Sequence, residues 1–348
     1  MIKKLLYVAS FVVFIVGGVA TFVFYTTTGQ DVLMKRAATT LFSQRVNLID
    51  GMRVTVCGSA SPLGNDTGRA QACIAVLTPE HFFLFDVGAG SQVRIAQARL
   101  PLARINGVFL THFHSDHIAA LPDVNLASWI QGRSLPLQVF GPAGVGNVVA
   151  GFNAAYRLDR DYRTAHHGSG LLAPERGPME ANTIAPDSTV WQDDTLTITA
   201  FIVDHVPIEP AVGYRVDYGG RSVVISGDTN VTDGLFLAAS NADLLLHDAL
   251  SRPLLDPMIE AAAASGTPRL STIMSDVIDY HADATLLPAR TRAAGIKQLV
   301  LYHMVPIPSN ALAKEIFVRD LPDNVIMAED LQSFYLPRNS TEIIIHHP

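Results

Sequence analysis

The pattern of apolar and polar positions changes character along this chain, and each change predicts a different kind of element. Leu5 to Tyr25 carries no charge and follows Lys3 and Lys4. A run of about 20 apolar residues is long enough to cross a bilayer as a helix. It exceeds the core of about 7–15 residues found in an ordinary signal peptide, and no clean small-x-small cleavage site follows it. The pattern therefore predicts an uncleaved N-terminal transmembrane helix within residues 1–30, with a cleaved signal and secretion as the alternative. The two lysines favour a cytoplasmic N-terminus, which would place the rest of the chain outside the cytoplasm, on the periplasmic side of the inner membrane. Residues 31–50 read as a short helical connector, with Val32, Leu33, Ala37, Leu41 and Phe42 sharing a face.

From residue 51 the pattern turns to short apolar runs punctuated by Gly, Pro, Asn and Asp, the signature of strands and tight loops. Strands are predicted at Val54–Val56, Ala72–Leu77, Phe82–Phe85, Val108–Leu110, Leu137–Phe140, Thr197–Val203, Ser222–Ser226, Ala242–Leu246 and Leu299–Tyr302. Helical patterns lie between several of them, near Val93–Ala98, Asp123–Ile130, Val145 and Ala284–Ala294. Strands alternating with helices predict an α/β class. Residues 156–190 are charged, rich in Gly and Pro and without a clear period. They read as an irregular insertion rimming the site, since loops over a rigid scaffold tend to carry selectivity. Arg157, Arg160 and Arg163 lie there as candidates to meet an anionic substrate, with a solvated charged face as the default. Residues 337–348 read as a tail.

Chemistry enters where the strands end. VFLTHFHSDHIAAL, residues 108–121, places His112, His114, Asp116 and His117 directly after an apolar run. In an extended segment residues two apart point the same way, so His112 and His114 can grip one ion, while Asp116 and His117 face back from the following turn toward a second. Later runs end in Asp204-His205, Gly227-Asp228, His247-Asp248 and His303. Function gathers beyond strand ends when a sheet is covered by helices. The donor count fits two zinc ions: His112, His114 and His205 on one, Asp116, His117 and His303 on the other, and Asp228 bridging. Imidazole and carboxylate suit zinc, and iron or manganese could also occupy such a site. Two ions about 3.5–4 Å apart can share a water and make it a hydroxide near neutral pH. Asp116 could also accept a hydrogen bond from that nucleophile. His281 is the leading non-ligand candidate, as a proton donor to the leaving group or a charge stabiliser on the substrate. His247 is a further candidate, alone or with Asp248, as an orienting partner.

Composition narrows the picture further. Over 348 residues, 49% are hydrophobic and 16% charged, enough for a substantial core and against disorder. A formal net charge of -7 lacks the basic footprint of a general nucleic-acid binder and so argues against nucleic acid as partner. Cys57 and Cys73 are the two cysteines. They could pair outside the cytoplasm, but their apolar surroundings fit two buried thiols equally well.

The order THFHSDH, a lone His before Gly-Tyr-Arg, SGDT, LLLHD, the His281 segment and LVLYH resembles the metallo-β-lactamase superfamily. Within it the chain is similar to the ribonuclease Z branch and its arylsulfatase-like and phosphodiesterase-like relatives. CGSASPLGNDTGRAQAC and LFDVGAG also resemble that branch's first hairpin and Asp-x-Gly strand end. The resemblance covers roughly residues 52–336. It implies an αββα sandwich, with residues 51–336 as the hydrolase domain and the dinuclear site at one edge. It also implies a metal-dependent hydrolase acting on a small-molecule ester, above all a phosphodiester or sulfate ester. Hydrolysis of a lactone or β-lactam, and a non-catalytic metal-binding module, are the competing readings. Ribonuclease Z proteins carry a long arm between the Gly-Tyr-Arg and Ser-Gly-Asp strands that clamps transfer RNA. Here Val216 to Arg221 alone separate them, so that arm is missing. A homodimer is compatible with this reading.

Overall fold

The computed structural model of the protein describes residues 2–43, 50–63 and 68–348; among residues 2–13 and 41–43 many side chains lie outside that description. The chain divides into two units, Met1–Asn47 and Leu48–Pro348. The first contains helices Ile2–Tyr25 and Thr27–Ser43. The expected connector 31–50 thus falls partly on the second helix, and its residues 44–49 lie outside the described residues. The expected transmembrane helix falls on Ile2–Tyr25, part of whose side chains are likewise not described. Among the described residues, no helix is long and apolar enough to cross a membrane.

Among the described residues the second unit holds fifteen strands: β1 Gly51–Gly58, β2 Cys73–Leu77, β3 Phe82–Phe85, β4 Gly107–Phe109, β5 Leu137–Gly141, β6 Met179–Thr183, β7 Ser188–Gln192, β8 Leu196–Ile202, β9 Val212–Tyr218, β10 Arg221–Ile225, β11 Leu244–Leu250, β12 Gln298–Val305, β13 Ile326–Met327, β14 Ser333–Pro337 and β15 Ile344–His346. They form an eight-stranded sheet in the order β15-β14-β1-β2-β3-β4-β5-β6 and a seven-stranded sheet in the order β13-β12-β11-β10-β9-β8-β7. The expected tail therefore carries an edge strand, β15, paired antiparallel with β14.

One buried cluster joins the two sheets. Phe85, Phe109 and Phe140 stack along the first sheet, with ring centroids 5.3 and 4.5 Å apart, and the Tyr214 ring of the second meets Phe109 edge-on at 5.4 Å. Tyr214 also donates its hydroxyl to the carbonyl of Leu110 at 2.7 Å, fixing the second sheet to the segment where the histidines begin. Removing a ring from such a stack costs about 3–5 kcal/mol. A second cluster, including Leu245, Leu287, Leu299 and Phe317, fills the space between the second sheet and its helices. Sheet against sheet with helices outside is the αββα arrangement.

The direction of the strands gathers the chemistry. β3, β4 and β5 run parallel in the first sheet. In the second, β10, β11 and β12 run parallel, and β8 shares their direction through two antiparallel steps across β9. The carboxyl ends of β3, β4, β8, β10 and β12 thus face one region, where crevices form in open α/β sheets. At the opposite end of the second sheet β9 returns to β10 through Gly219 and Gly220 alone. Both take positive φ, 55° and 78°, as a two-residue hairpin turn of this hand requires.

Residues 156–190 differ from the expected irregular insertion. Arg157–His167 is a helix, and β6 and β7 follow. The helix buries none of its residues, so no apolar period marks it in the sequence. Ion pairs one turn apart, Arg157 with Asp161 and Asp159 with Arg163, run along it instead.

Cys57 and Cys73 form a disulfide between the end of β1 and the start of β2. Both are fully buried. The bridge spans the base of the loop that carries Ser61, Pro62 and Leu63.

Candidate metal centre

Beyond β4, Thr111 to His117 turn into a short helix that starts at Ser115. This loop delivers His112, His114, Asp116 and His117. Gly88 makes its approach possible: a Cβ there would stand 2.0 Å from the Asp116 carbonyl oxygen. His205 follows β8, and Asp228 follows β10 after Gly227. His303 enters by a different route. The β11–β12 ladder pairs Asp248 with Tyr302 and Ala249 with Met304, so His303 is the extra residue of a bulge, at φ 43°. A bulge re-aims a side chain out of the ladder, and here it turns the imidazole toward Asp116 and Asp228.

Two overlapping groups result. Ligand-type atoms of His112, His114, His205 and Asp228 all lie within 4.8 Å of one another, as do those of Asp116, His117, Asp228 and His303. Asp228 belongs to both. Its Oδ2 is 3.2 Å from His117 Nε2, 3.9 Å from His112 Nε2 and 4.0 Å from His205 Nε2, and its Oδ1 is 3.4 Å from His303 Nδ1. Asp116 Oδ2 is 3.0 Å from His303 Nε2. All of these residues are buried except His114, which is half-buried.

Whether these residues suit a cation can be judged from what their atoms lack. His112 Nε2, His205 Nε2, His303 Nδ1 and Asp228 Oδ1 are buried without a hydrogen-bond partner. Buried polar atoms are ordinarily satisfied, and four orphans facing one another at one spot fit a donor set made for metal. The charges agree. Burial alone would raise the Asp228 carboxyl, but His117 and His303 hold it well below the ordinary range. Burial opposes charge on His117, yet Asp228, Asp86 and Asp116 raise it well above its usual value. His112, buried among other imidazoles, is pushed down by burial and by His117. The centre thus favours a positive charge among its carboxylates.

Second partners fix the rings. His117 Nδ1 donates to Asp86 Oδ2 at 2.8 Å, and Asp86 also accepts from the Thr111 amide and hydroxyl, each at 2.8 Å. His205 Nδ1 donates to the Tyr280 carbonyl at 2.9 Å. Each bond leaves Nε2 facing the cluster, the tautomer control that metal-binding imidazoles require. Asp86 was read from sequence only as a strand end. Its signal was Asp-Val-Gly directly after a buried strand.

His281 lines the cleft beside the cluster, and its Nδ1 is 3.0 Å from Asp248 Oδ2. His247 does not join it. Successive strand residues face opposite ways, so as Asp248 turns to His281, His247 turns away. Its ring stacks over Phe236 at 6.2 Å, its Nδ1 donates to the Asp248 carbonyl, and it neither lines the cleft nor joins either group. Of the expected pair His247 and Asp248, it is Asp248 that meets His281 beside the cleft. Among the described residues that line this cleft, none comes from 156–190. Arg157 and Arg163 pair along their own helix and Arg160 donates to the Asn153 carbonyl.

Comparison with known proteins places this geometry in context. A family model described as a beta-lactamase superfamily domain matches residues 81–304. Ribonuclease Z of Mycobacterium marinum is 34% identical over 258 residues, which cover 73% of this chain and 87% of that protein. Ribonuclease Z of Mycobacterium avium is 33% identical over 258 residues, covering 73% and 86%. Among solved structures, the short form of human tRNase Z superposes with a TM-score of 0.58 at 21% identity, covering 82% of this chain and 99% of that one. The metallo-beta-lactamase fold protein YhfI from Bacillus subtilis gives 0.57 at 19% identity, covering 82% and 99%. At such identities the two structures speak for the fold alone.

Proposed function

Since this chain belongs to the metallo-β-lactamase superfamily, with ribonuclease Z proteins among its relatives, we propose that it is a metal-dependent phosphodiesterase. The observation that carries the reading is the sharing of Asp228 between two buried groups of ligand-type atoms, four of them orphaned. In this reading His112, His114 and His205 would hold one zinc ion, Asp116, His117 and His303 a second, and Asp228 would be shared between them. Such a pair of ions would supply Lewis acidity, activating water and neutralising charge on the attacked phosphoryl group. The chain does the rest. Asp116, which lines the cleft, would orient water there through a hydrogen bond. His281, held by Asp248, delivers a proton to the departing alkoxide. Asp86 and the Tyr280 carbonyl keep His117 and His205 in the tautomer that ligation needs.

The ribonuclease Z relatives are named for acting on RNA, which counts against the expectation that nucleic acid is an unlikely partner. The bond RNA offers is the bond this site suits. The Gly219–Gly220 turn, where that expectation placed no clamping arm, bears on the size of substrate held and not on the chemistry. The test is metal analysis coupled to hydrolysis of bis(p-nitrophenyl) phosphate. Two equivalents of zinc and turnover abolished by chelation are expected. A chain that binds two equivalents of zinc and hydrolyses no phosphodiester would overturn the reading.

The same reading keeps the anchored, extracytoplasmic location, which rests on the charge-free run Leu5–Tyr25 and on a disulfide of the kind that persists in oxidising compartments. Fractionation tests it: the full chain should sediment with membranes, and a chain lacking residues 1–30 should not. Recovery of the full chain in the soluble fraction would end the anchor.

A further inference from the structure

The cleft over the candidate metal centre has two unlike sides. Its floor is the cluster. Its wall is Pro62 and Leu63 from the loop after β1, Val277 and Tyr280 from the segment before His281, and Val305 at the end of β12. The cavity between them is about 210 Å³. Among the described residues that line it there is no lysine or arginine. Among these lining residues a polyanionic substrate would find no lysine or arginine to pair with, whereas an apolar group would find a matching surface at the wall.

This wall is fixed in place. Leu63 and Val277 pack against the buried cluster of Leu250, Leu255, Met274 and Val305. The Leu63 carbonyl accepts from the Ile307 amide at 3.0 Å, and Ser61 donates its hydroxyl to the Met304 carbonyl at 2.6 Å. Asn230 donates to the Asp279 carbonyl at 2.7 Å, and the Tyr280 carbonyl receives His205. The Tyr280 ring meets His205 edge-on at 5.1 Å and lies 4.9 Å from the His281 ring. It therefore reaches from the floor to the wall.

We propose that this wall is a substrate subsite that seats the substituent on the non-leaving ester oxygen, so that the preferred substrates are phosphodiesters in which that substituent is a flat aryl or comparably apolar group. Leu63, Val277 and Tyr280 are then its specificity-determining residues. The inference rests on the phosphodiesterase reading and narrows it to a substrate class. Seating a ring on a preformed apolar surface beside the reacting centre raises kcat/KM by about tenfold or more over a substituent too small to reach it.

The experiment uses the zinc-loaded full chain and three diesters with the same p-nitrophenol leaving group, whose second substituent is methyl, phenyl or thymidine through its 5′ oxygen. Hydrolysis should favour phenyl over methyl by about tenfold or more, with thymidine below phenyl. In Tyr280→Ala and, separately, Leu63→Asn, the phenyl-to-methyl ratio should fall toward one while bound zinc is retained, because the Tyr280 backbone, not its ring, holds His205. Equal phenyl and methyl rates in the unmodified chain would overturn the subsite and leave the phosphodiesterase standing. Thymidine preferred over phenyl would overturn it in favour of a nucleotide site. No hydrolysis of any of the three by zinc-loaded protein would instead remove the phosphodiesterase reading itself.

Discussion

On the floor of the cleft, polar side chains from four separate stretches of chain meet with four of their buried atoms unsatisfied, whereas the wall beside it is made of apolar groups held by backbone ties such as those of Leu63 and Tyr280. The floor is incomplete without something brought from outside. The wall is complete as folded. An orphaned buried donor or acceptor is a standing penalty of about 1–3 kcal/mol each, so the floor is a place the fold maintains at a loss and a cation would relieve. The wall carries no such debt and is held by the same packing as any small core. Substitutions should divide accordingly: on the floor they act on metal and chemistry, on the wall on selectivity.

Asp228→Ala should break the floor most completely. With the shared carboxylate gone, bound zinc should fall below two equivalents and hydrolysis by about a thousandfold or more. Full zinc content by elemental analysis in that variant would erase the distinction between the two sides. Asp86→Ala comes next. It leaves every ligand in place but removes the acceptor of His117 Nδ1, and zinc affinity measured by competition with a chelator should fall about 10–100-fold. Asp248→Ala should act between floor and wall. It should lower kcat with zinc content and KM little changed, by about 10–100-fold, because it frees His281 and touches no ligand. His247→Leu, one residue away, should do neither, and an equal kcat loss there would show that the strand rather than the His281 contact is at work.

A smaller effect sharpens the contrast from outside the cleft. Asp243 is a buried carboxylate whose partners are all present: Arg221 Nε at 3.0 Å, Lys297 Nζ at 2.7 Å and the Ser222 amide at 2.9 Å. Burial would raise it, but these partners hold its carboxyl below the ordinary value. Such a group contributes stability above its unfolded pKa, near 4, and loses it as pH falls further. Asp243→Asn should lower Tm by a few degrees at pH 7 and flatten its decline below about pH 4. Zinc should not alter that decrement, because this cluster closes on itself.

The same contrast decides what the sequence could reveal. The floor is written in residue types that are rare at the ends of apolar runs. His112 to His117, His205, Asp228 and His303 were therefore legible as one constellation before any fold was known, and the αββα frame followed from the resemblance they carry. His247 and Asp248 show the limit. Both end the same run, and which of them faces the cleft depends on the pleat and on where β12 bulges. The wall was not legible. Leu63, Val277 and Val305 are ordinary apolar residues, and nothing in their spelling tells a lining from a core. The helix Arg157–His167 escaped for the reverse reason, since ion pairs and not a buried stripe accompany its turns. The disulfide stayed open because a pairing of two apolar-flanked cysteines depends on the register of β1 against β2, where the ladder shifts between Val56 and Gly58.

The turn at Gly219 and Gly220 separates reach from reactivity in space. β9 and β10 run from it toward Asp228 over five to seven residues each, so at about 3.3 Å per residue it stands roughly 20 Å from the reacting centre. A segment spliced into it would start at the far end of the strands, leaving every ligand and the wall untouched. That makes it the natural splice point for grafting a grip on larger molecules, and the size of what this scaffold can process becomes a design variable independent of how it breaks the bond.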